Sequence, residues 1–346
     1  MKVCAITPGY HVPSSRFRVR QYIPLLKRNG IEVCEKSAVF SQAIRLPGKL
    51  SKVRRRYLFP VYAGDILVKA LSRMVDFYEA GQSDLIWLNR EMTFGVSVYE
   101  GFFRKPFVFD VDDAIWINRD YIKKISKNAS MIFAGNEFIA DALSGWNDNV
   151  RIIPTAIDVD RFSLKQWSNV SDRYLIGWTG SSDNLRYLYD IEIDIKRLMD
   201  LYPDIYVGVV SDKPPQFSVI PRERVVYNKW NPGNEVHAIQ EFDVGVMPLY
   251  DTDWERGKCS FKMLQYMSVG LPVCVSAVGM NVEVASKGFV GLLVDPGVGW
   301  FDALEEMYLN RDKYTLCGLE GRAVVDKYYS ASVVAEKIAE NFRFVL

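Results

Sequence analysis

Twelve short apolar runs punctuate the chain, at 3–7, 31–34, 85–88, 107–111, 131–134, 151–153, 175–178, 205–210, 225–227, 244–248, 273–277 and 291–294. Most are continuously apolar rather than alternating, the pattern of strands covered on both faces of a parallel sheet. Helical stretches separate them, and polar, Gly or Asp residues follow them. That marks the C-terminal strand edge, where doubly wound sheets bind ligands. The simplest architecture is α/β, with two such sheets in tandem. The polar segment 164–172 has little periodicity and reads as the linker, dividing a first domain, 1–166, from a second, 172–330. A closing amphipathic helix over 332–344 puts Val334, Ile338, Phe342 and Val345 on one stripe and could belong to either domain.

One stretch, WERGKCSFKMLQYMSVGLPVCVSAVGMNVE from Trp254 to Glu283, reads as loop, helix, tight turn, buried strand and loop. Arg256 and Lys258 precede the helix, and Ser260 is the expected N-cap. Lys262, Gln265 and Tyr266 share one face at i, i+3 and i+4, opposite an apolar face of Phe261, Leu264 and Met267. Gly270 suits the left-handed position after the helix. A helix start carries roughly half a positive charge and unpaired amides, so two cations beside it predict a phosphate site. A nucleotide diphosphate fits that site.

Hydrophobic residues make up 49% of the 346 positions and charged residues 25%, as in an ordinary soluble globular protein. No run of about 18 apolar residues spans a membrane, and the start, MKVCAITPGY, is broken by Pro8 and Gly9, against a signal peptide. Five scattered cysteines without CxxC spacing read as reduced thiols, so a cytoplasmic location is expected. The net charge of +1 conceals a split. Residues 1–170 hold 25 Lys/Arg against 17 Asp/Glu, and residues 171–346 hold 18 against 25. Two domains with different partners would explain it, as would a basic half facing an acidic one.

Other stretches offer further chemistry. The loop after the first run, TPGYHVPSSRFRVRQYIPLL, places Gly9, His11, Ser14 and Arg16 ahead of a helix expected from Phe17 to Leu26. It lacks GxGxxG, which weakens a dinucleotide reading; its arginines are either a ligand-facing loop or a solvated basic face. Six Lys/Arg between Arg45 and Arg56 adjoin Tyr57, Leu58 and Phe59. That cluster suits an anionic membrane surface, at about 1 kcal/mol per charge, or a solvated loop. No nucleic-acid module accompanies it. In FVFDVDDAIW, Asp112 and Asp113 follow a buried strand. Sugar hydroxyls rank first as their partners, a helix cap second and a divalent metal last. His237 falls in an expected helix as a structural residue, and no Ser-His-Asp or Cys-His pairing can be argued from spacing.

Taken in order, SSRFRVRQYIPLL, FDVDDAIW, AGNEFIADAL, IIPTAIDVDRF, IGWTGS, FDVGVMPL, GKCSFKMLQYMSVGLPVCVSAVGMNVE and GLLVDP resemble the retaining GT-B glycosyltransferases of the family 4 type. The resemblance covers most of the chain. It implies two Rossmann-like domains facing a cleft. The second domain would hold the nucleotide sugar and the first an acceptor, with the final helix, 331–346, packing back on the first. It further implies transfer with retention and no metal or other cofactor, because basic side chains and helix amides neutralise the leaving diphosphate. Two glutamates that many members carry eight positions apart fall on Gly257 and Gln265. Gln265 can still bond a ribose diol, whereas Gly257 cannot replace a carboxylate. The resemblance also implies that Thr179, Gly180 and Ser181 line the donor phosphates together with Cys259, Ser260, Phe261 and Lys262. Asp112, Asp113 and Glu283 would lie near the donor sugar or ribose.

The expectation is therefore a hexosyltransferase, with Arg256, Lys258 and Asp112 as catalytic residues. It would act on a glycan or lipid-linked acceptor, in surface polysaccharide or glycoconjugate assembly, peripheral to a membrane and without nucleic acid. The alternative is a non-catalytic GT-B scaffold of a polysaccharide assembly complex. A sugar-nucleotide epimerase would want more carboxylates or histidines placed for proton transfer.

Overall fold

A computed structural model describes residues 1–40, 59–167 and 172–346. The basic segment between Arg45 and Arg56 lies outside the described residues. The chain divides into two compact units, one of Met1–Thr155 with Ser332–Leu346, the other of Ala156–Ala331.

The first unit is built on β1 (Lys2–Thr7), β2 (Glu32–Ser37), β3 (Leu85–Asn89), β4 (Phe107–Val111), β5 (Met131–Ala134) and β6 (Val150–Ile152). All pairings are parallel, in the order β2-β1-β3-β4-β5-β6. β3, β4 and β5 are buried along their whole length, which is why they read as unbroken apolar runs. The closing helix, Ala331–Val345, belongs mostly to this unit. Its Phe342 ring stacks on Phe133 at 5.7 Å and meets Trp87 edge-on at 5.2 Å. The expected continuous helix after β1 is broken up. Ser15–Val19 is a widened π turn, Arg20–Tyr22 a 3₁₀ turn, and only Ile23–Arg28 is α-helical.

The second unit carries β7 (Tyr174–Thr179), β8 (Ile205–Ser211), β9 (Val225–Lys229), β10 (Val244–Met247), β11 (Val273–Ser276) and β12 (Gly291–Val294). They form a second six-stranded parallel sheet, ordered β12-β11-β10-β7-β8-β9. One face, with Ile176, Trp178, Val207, Val209, Val244 and Val246, packs on Ile195, Leu198, Leu304 and Met307. The other face carries a row of glycines. Gly245, Gly177 and Gly208 stand in register across β10, β7 and β8. A Cβ at Gly177 would lie 1.9 Å from the Phe242 ring, and one at Gly245 would lie 2.2 Å from Tyr266. The row is thus the bed on which Phe242 and the Phe261–Ser268 helix lie directly against the sheet. Helical packing on both faces makes the sheet doubly wound.

All twelve runs read as strands are strands, and the α/β class stands. The units meet in sequence at Thr155–Ala156, ahead of the 164–172 segment expected as linker. Residues following Thr155 already pack with the second sheet. Arg161 bonds Glu235, and the Lys165 amine reaches Asp243 at 2.9 Å.

Candidate functional site

The strand order of the second sheet reverses between β7 and β10, the switch point at which loops diverge and leave a crevice. Tyr266 bridges that point. Its hydroxyl accepts from the Thr179 amide at 2.9 Å and donates to the Val246 carbonyl at 3.3 Å. Burial pushes its phenol well above the usual range, so it stays neutral and serves as a fixed tie. One turn earlier, Lys262 runs beside Gly180, where a Cβ would meet its Cε at 2.7 Å. The Lys262 amine lies 5.5 Å from the Trp178 ring centroid. Thr179, Gly180 and Lys262 are therefore neighbours. Ser181 is exposed and accepts from the Asn184 amide at 2.9 Å, and Ser182 turns its amide and hydroxyl to Asp212.

The start of the Phe261–Ser268 helix differs from the expected cap. Ser260 occupies the N-cap position in the left-handed region (φ 48°), and its hydroxyl makes no capping bond. It donates instead to Asn281 Oδ1 at 2.7 Å, and Asn281 in turn donates to the Ser276 carbonyl. A serine in this conformation is strained, and such strain concentrates where backbone must be aimed. Gly279 (φ 54°) lets the following loop press on the turn ahead of the helix, since a Cβ there would come within 2.7 Å of the Arg256 carbonyl oxygen. Glu283 lies in the first turn of the Met280–Ala285 helix that Gly279 opens. Cys259, Ser260, Phe261, Lys262, Asn281 and the Arg256 backbone are thus gathered around one helix start, with Glu283 two residues beyond Asn281.

The cations ahead of the helix are arranged unequally. Arg256 is exposed and binds Asp251 through Nε (2.6 Å) and Nη2 (3.0 Å), which raises its own pKa and lowers that of Asp251. Lys258 is half-buried, with its amine 5.6 Å from the Trp254 ring centroid. Gln265 is 4% exposed and donates to Glu235 Oε1 at 3.1 Å. Gly257 is buried.

In the first unit the strand order reverses between β1 and β3. Gly9, His11, Ser14 and Arg16 lie in the loop and turn after β1, with His11 exposed and Ser14 buried. Arg18, expected on a helix face, is buried and bonds Asp110 Oδ1 through Nε (3.0 Å) and Nη2 (2.7 Å), while Nη1 reaches the Ile153 carbonyl at 2.6 Å. Trp87 donates to the other Asp110 oxygen. Burial nevertheless outweighs Arg18 and holds the Asp110 carboxyl above its ordinary value. Asp112 and Asp113 both receive Arg90, itself at φ 62°. The next helix starts only at Asp120, which removes capping as their role. His237 is exposed, 3.9 Å from Glu241. Among the described residues no group of three or more His, Cys, Asp or Glu is placed to hold a metal ion.

Sequence reasoning missed several groups. Arg90 follows a buried strand in the run Asn-Arg-Glu, a polar break at a strand end that could have flagged it. Glu235 is buried against Arg161, Trp230 and Gln265. Glu255 is buried against the Tyr187 hydroxyl at 2.5 Å, burial and that carboxylate pushing the phenol up to about 12. Beside β1 and β3, the Ser14 and Ser15 hydroxyls, the Asn89 amide and the Thr93 hydroxyl are buried and make no hydrogen bond among the described residues. Buried polar groups left unpaired are uncommon in native proteins.

No family model matches the sequence, and no curated protein matches it. Solved structures do match the fold. Sucrose-phosphate synthase from Thermosynechococcus elongatus superposes with a TM-score of 0.72 at 17% identity, over 100% of this chain and 99% of that one. HepE from Anabaena, in complex with UDP and glucose, gives 0.69 at 13% identity over 99% of both chains. An α,α-trehalose-phosphate synthase (UDP-forming) from Burkholderia vietnamiensis gives 0.68 at 13%, over 99% of this chain and 100% of that one. The fold is that of the GT-B glycosyltransferases.

Proposed function

We propose that the chain is a glycosyltransferase that takes a sugar, a hexose on the pattern of the family it resembles, from a nucleoside diphosphate and transfers it with retention. The observation that carries this reading is the convergence at the second sheet's switch point. Lys262 beside Gly180, Lys258 ahead of the helix, and the helix start aimed by left-handed Ser260 offer one diphosphate both cations and amides. Lys258 has the first claim as the leaving-group partner. Arg256 shares the role, with two of its nitrogens also on Asp251. The work is electrostatic, so no side chain is assigned as general base and no metal is invoked; the departing phosphate oxygen takes the acceptor proton.

The acceptor, a glycan or lipid-linked sugar of a polysaccharide or glycoconjugate pathway, is assigned to the first unit. The hydroxyls and amide beside β1 and β3 that make no hydrogen bond among the described residues support this assignment. Docking to an anionic membrane is part of the same reading. Val61, Leu67, Val68 and Leu71 are exposed on the Phe59–Ser72 helix, which follows the basic segment in sequence. No helix among the described residues is long and apolar enough to cross a membrane.

The test is transfer and hydrolysis across UDP-, GDP- and ADP-sugars, beginning with UDP-glucose, with which HepE has been solved. Lys258→Ala should lower kcat/KM by at least a hundredfold with an unchanged unfolding midpoint, and near-normal turnover removes the phosphate assignment. Gly257, standing where relatives carry a carboxylate, favours a second reading as a non-catalytic scaffold. Absence of stabilisation by any nucleoside diphosphate would select it.

A further inference from the structure

Glu235 opens the Glu235–Gln240 helix and is 3% exposed, yet its carboxylate is fully engaged. Oε2 accepts from Arg161 Nη2 at 2.9 Å, and Oε1 accepts from the Trp230 indole at 3.1 Å and from Gln265 Nε2 at 3.1 Å. Arg161 also reaches the Pro232 carbonyl. The loop between Trp230 and Glu235 is braced by Asn231, whose side chain accepts from the Gly233 and Asn234 amides. The carboxylate is therefore held by groups from three separated places in the chain.

A carboxylate only accepts hydrogen bonds, so Gln265 must present its NH₂ to Glu235 and turn its Oε1 away. That oxygen takes no hydrogen bond among the described residues, and it is not one of the atoms sealed from solvent. Without Glu235 the amide could flip, offering a donor or an acceptor indifferently. With it, the oxygen is the amide atom turned away from Glu235. Gln265 stands one helical turn, about 4.5 Å, beyond Lys262 on the same face. That is comparable to the separation between a nucleotide's phosphate and the diol of its ribose.

We infer that Glu235 is a positioning residue that fixes Gln265 Oε1 as the acceptor for a ribose hydroxyl, so the pair selects ribonucleoside over deoxyribonucleoside diphosphates. This rests on the proposed donor site. An amide acceptor oriented by a remote carboxylate takes the place of the direct carboxylate that relatives carry at this position. The arrangement also explains why glutamate is unsuited to position 265 here: two carboxylates would share one dry site.

The experiment uses the full chain and whichever of UDP, GDP and ADP stabilises it most, compared with its 2′-deoxy and 3′-deoxy counterparts and with pyrophosphate, by titration calorimetry. Wild type should prefer the ribonucleotide about tenfold over at least one deoxy form, one hydrogen bond's worth. Glu235→Gln should reduce that preference to about twofold while leaving pyrophosphate affinity unchanged. Gln265→Glu should weaken ribonucleotide binding about tenfold, and the exchange E235Q/Q265E should recover the preference, because one amide and one carboxylate again face each other. This double variant decides the matter even where Glu235→Gln folds poorly. Equal loss of ribo and deoxy affinity in Glu235→Gln, or no recovery in the exchange, overturns the Glu235 assignment alone. A wild-type chain that binds no nucleoside diphosphate overturns the donor site and this inference together.

Discussion

Gly245→Ala is the sharpest probe of how the second sheet holds its site. The new Cβ would lie 2.2 Å from Tyr266 Cγ, 2.3 Å from Cδ2 and 2.8 Å from Cβ. Ordinary contact begins near 3.4 Å, so these atoms must retreat by about 1 Å. Because the crowding includes the Tyr266 Cβ, turning the ring cannot relieve it; the Phe261–Ser268 helix itself must lift from the sheet. Overpacking of this kind costs about 3 kcal/mol. Lifting the helix also breaks the two hydrogen bonds that Tyr266 makes to Thr179 and Val246, at about 1 kcal/mol each. The total, about 4–5 kcal/mol, should lower the unfolding midpoint by roughly 10 °C or more at 2–4 °C per kcal/mol. Thermal unfolding followed by circular dichroism reads the loss, and nucleoside diphosphate titration reads the accompanying displacement of Lys262 and Gln265. A double-mutant cycle with Tyr266→Ala isolates the contact, since Gly245→Ala should cost at least about 2 kcal/mol less once the ring is gone. A midpoint within about 2 °C of wild type, or costs that simply add in the cycle, would refute the claim that the glycine is there for the tyrosine.

Removing Arg18 tests the first unit in the same spirit. Arg18→Met leaves a buried carboxylate without its cation and should cost about 3–5 kcal/mol at neutral pH. Burial already holds Asp110 above its unfolded value, so the charged form loses stability as pH rises through the folded pKa. The deficit in urea midpoint should accordingly narrow on acidification from pH 7.5 to 5, and a flat deficit contradicts the assignment. Gly279→Ala combines a left-handed backbone with a clash against the Arg256 backbone, and should cost about 2–3 kcal/mol and weaken nucleotide binding. An unchanged midpoint would show that the close approach is unimportant. Ser260→Ala keeps the strained backbone and strips the buried Asn281 of its donor, at about 1–3 kcal/mol. Ser260→Gly loses the same bond but relieves the strain, so it should be milder by about 1 kcal/mol; the reverse order in urea unfolding would count against strain at Ser260.

The strands were legible because burial on both faces writes itself as unbroken apolar runs, as at 85–88 and 107–111. That Thr179 and Gly180 belong with Lys262 came from the family resemblance and not from local pattern. What escaped depends on register and on pairs distant in sequence. Gly177, Gly208 and Gly245 look like separate interruptions until the strands are aligned, when they become one surface. In the sequence Arg18 falls between a ligand-facing loop and a solvated face, because its partner lies 92 residues away. Ser260 was placed at the right position with the wrong bond, because the competing acceptor, Asn281, arrives from beyond the next strand. Gln265 was read alone, whereas its orientation is set by Glu235, thirty residues earlier.

The place of Phe342 bears on the order in which the molecule can be completed during synthesis. The first sheet's Trp87 and Phe133 close their packing against a helix translated only after every strand of the second. The second unit, drawn from the continuous segment Ala156–Ala331, has no such debt to a later segment. Vectorial synthesis ordinarily favours the N-terminal part as the first to mature. Here the earlier-made sheet must keep an apolar face waiting, at about 5–20 residues per second, while the later-made one can finish. The interval in which a chaperone is most useful thus falls on the half of the protein that leaves the ribosome first.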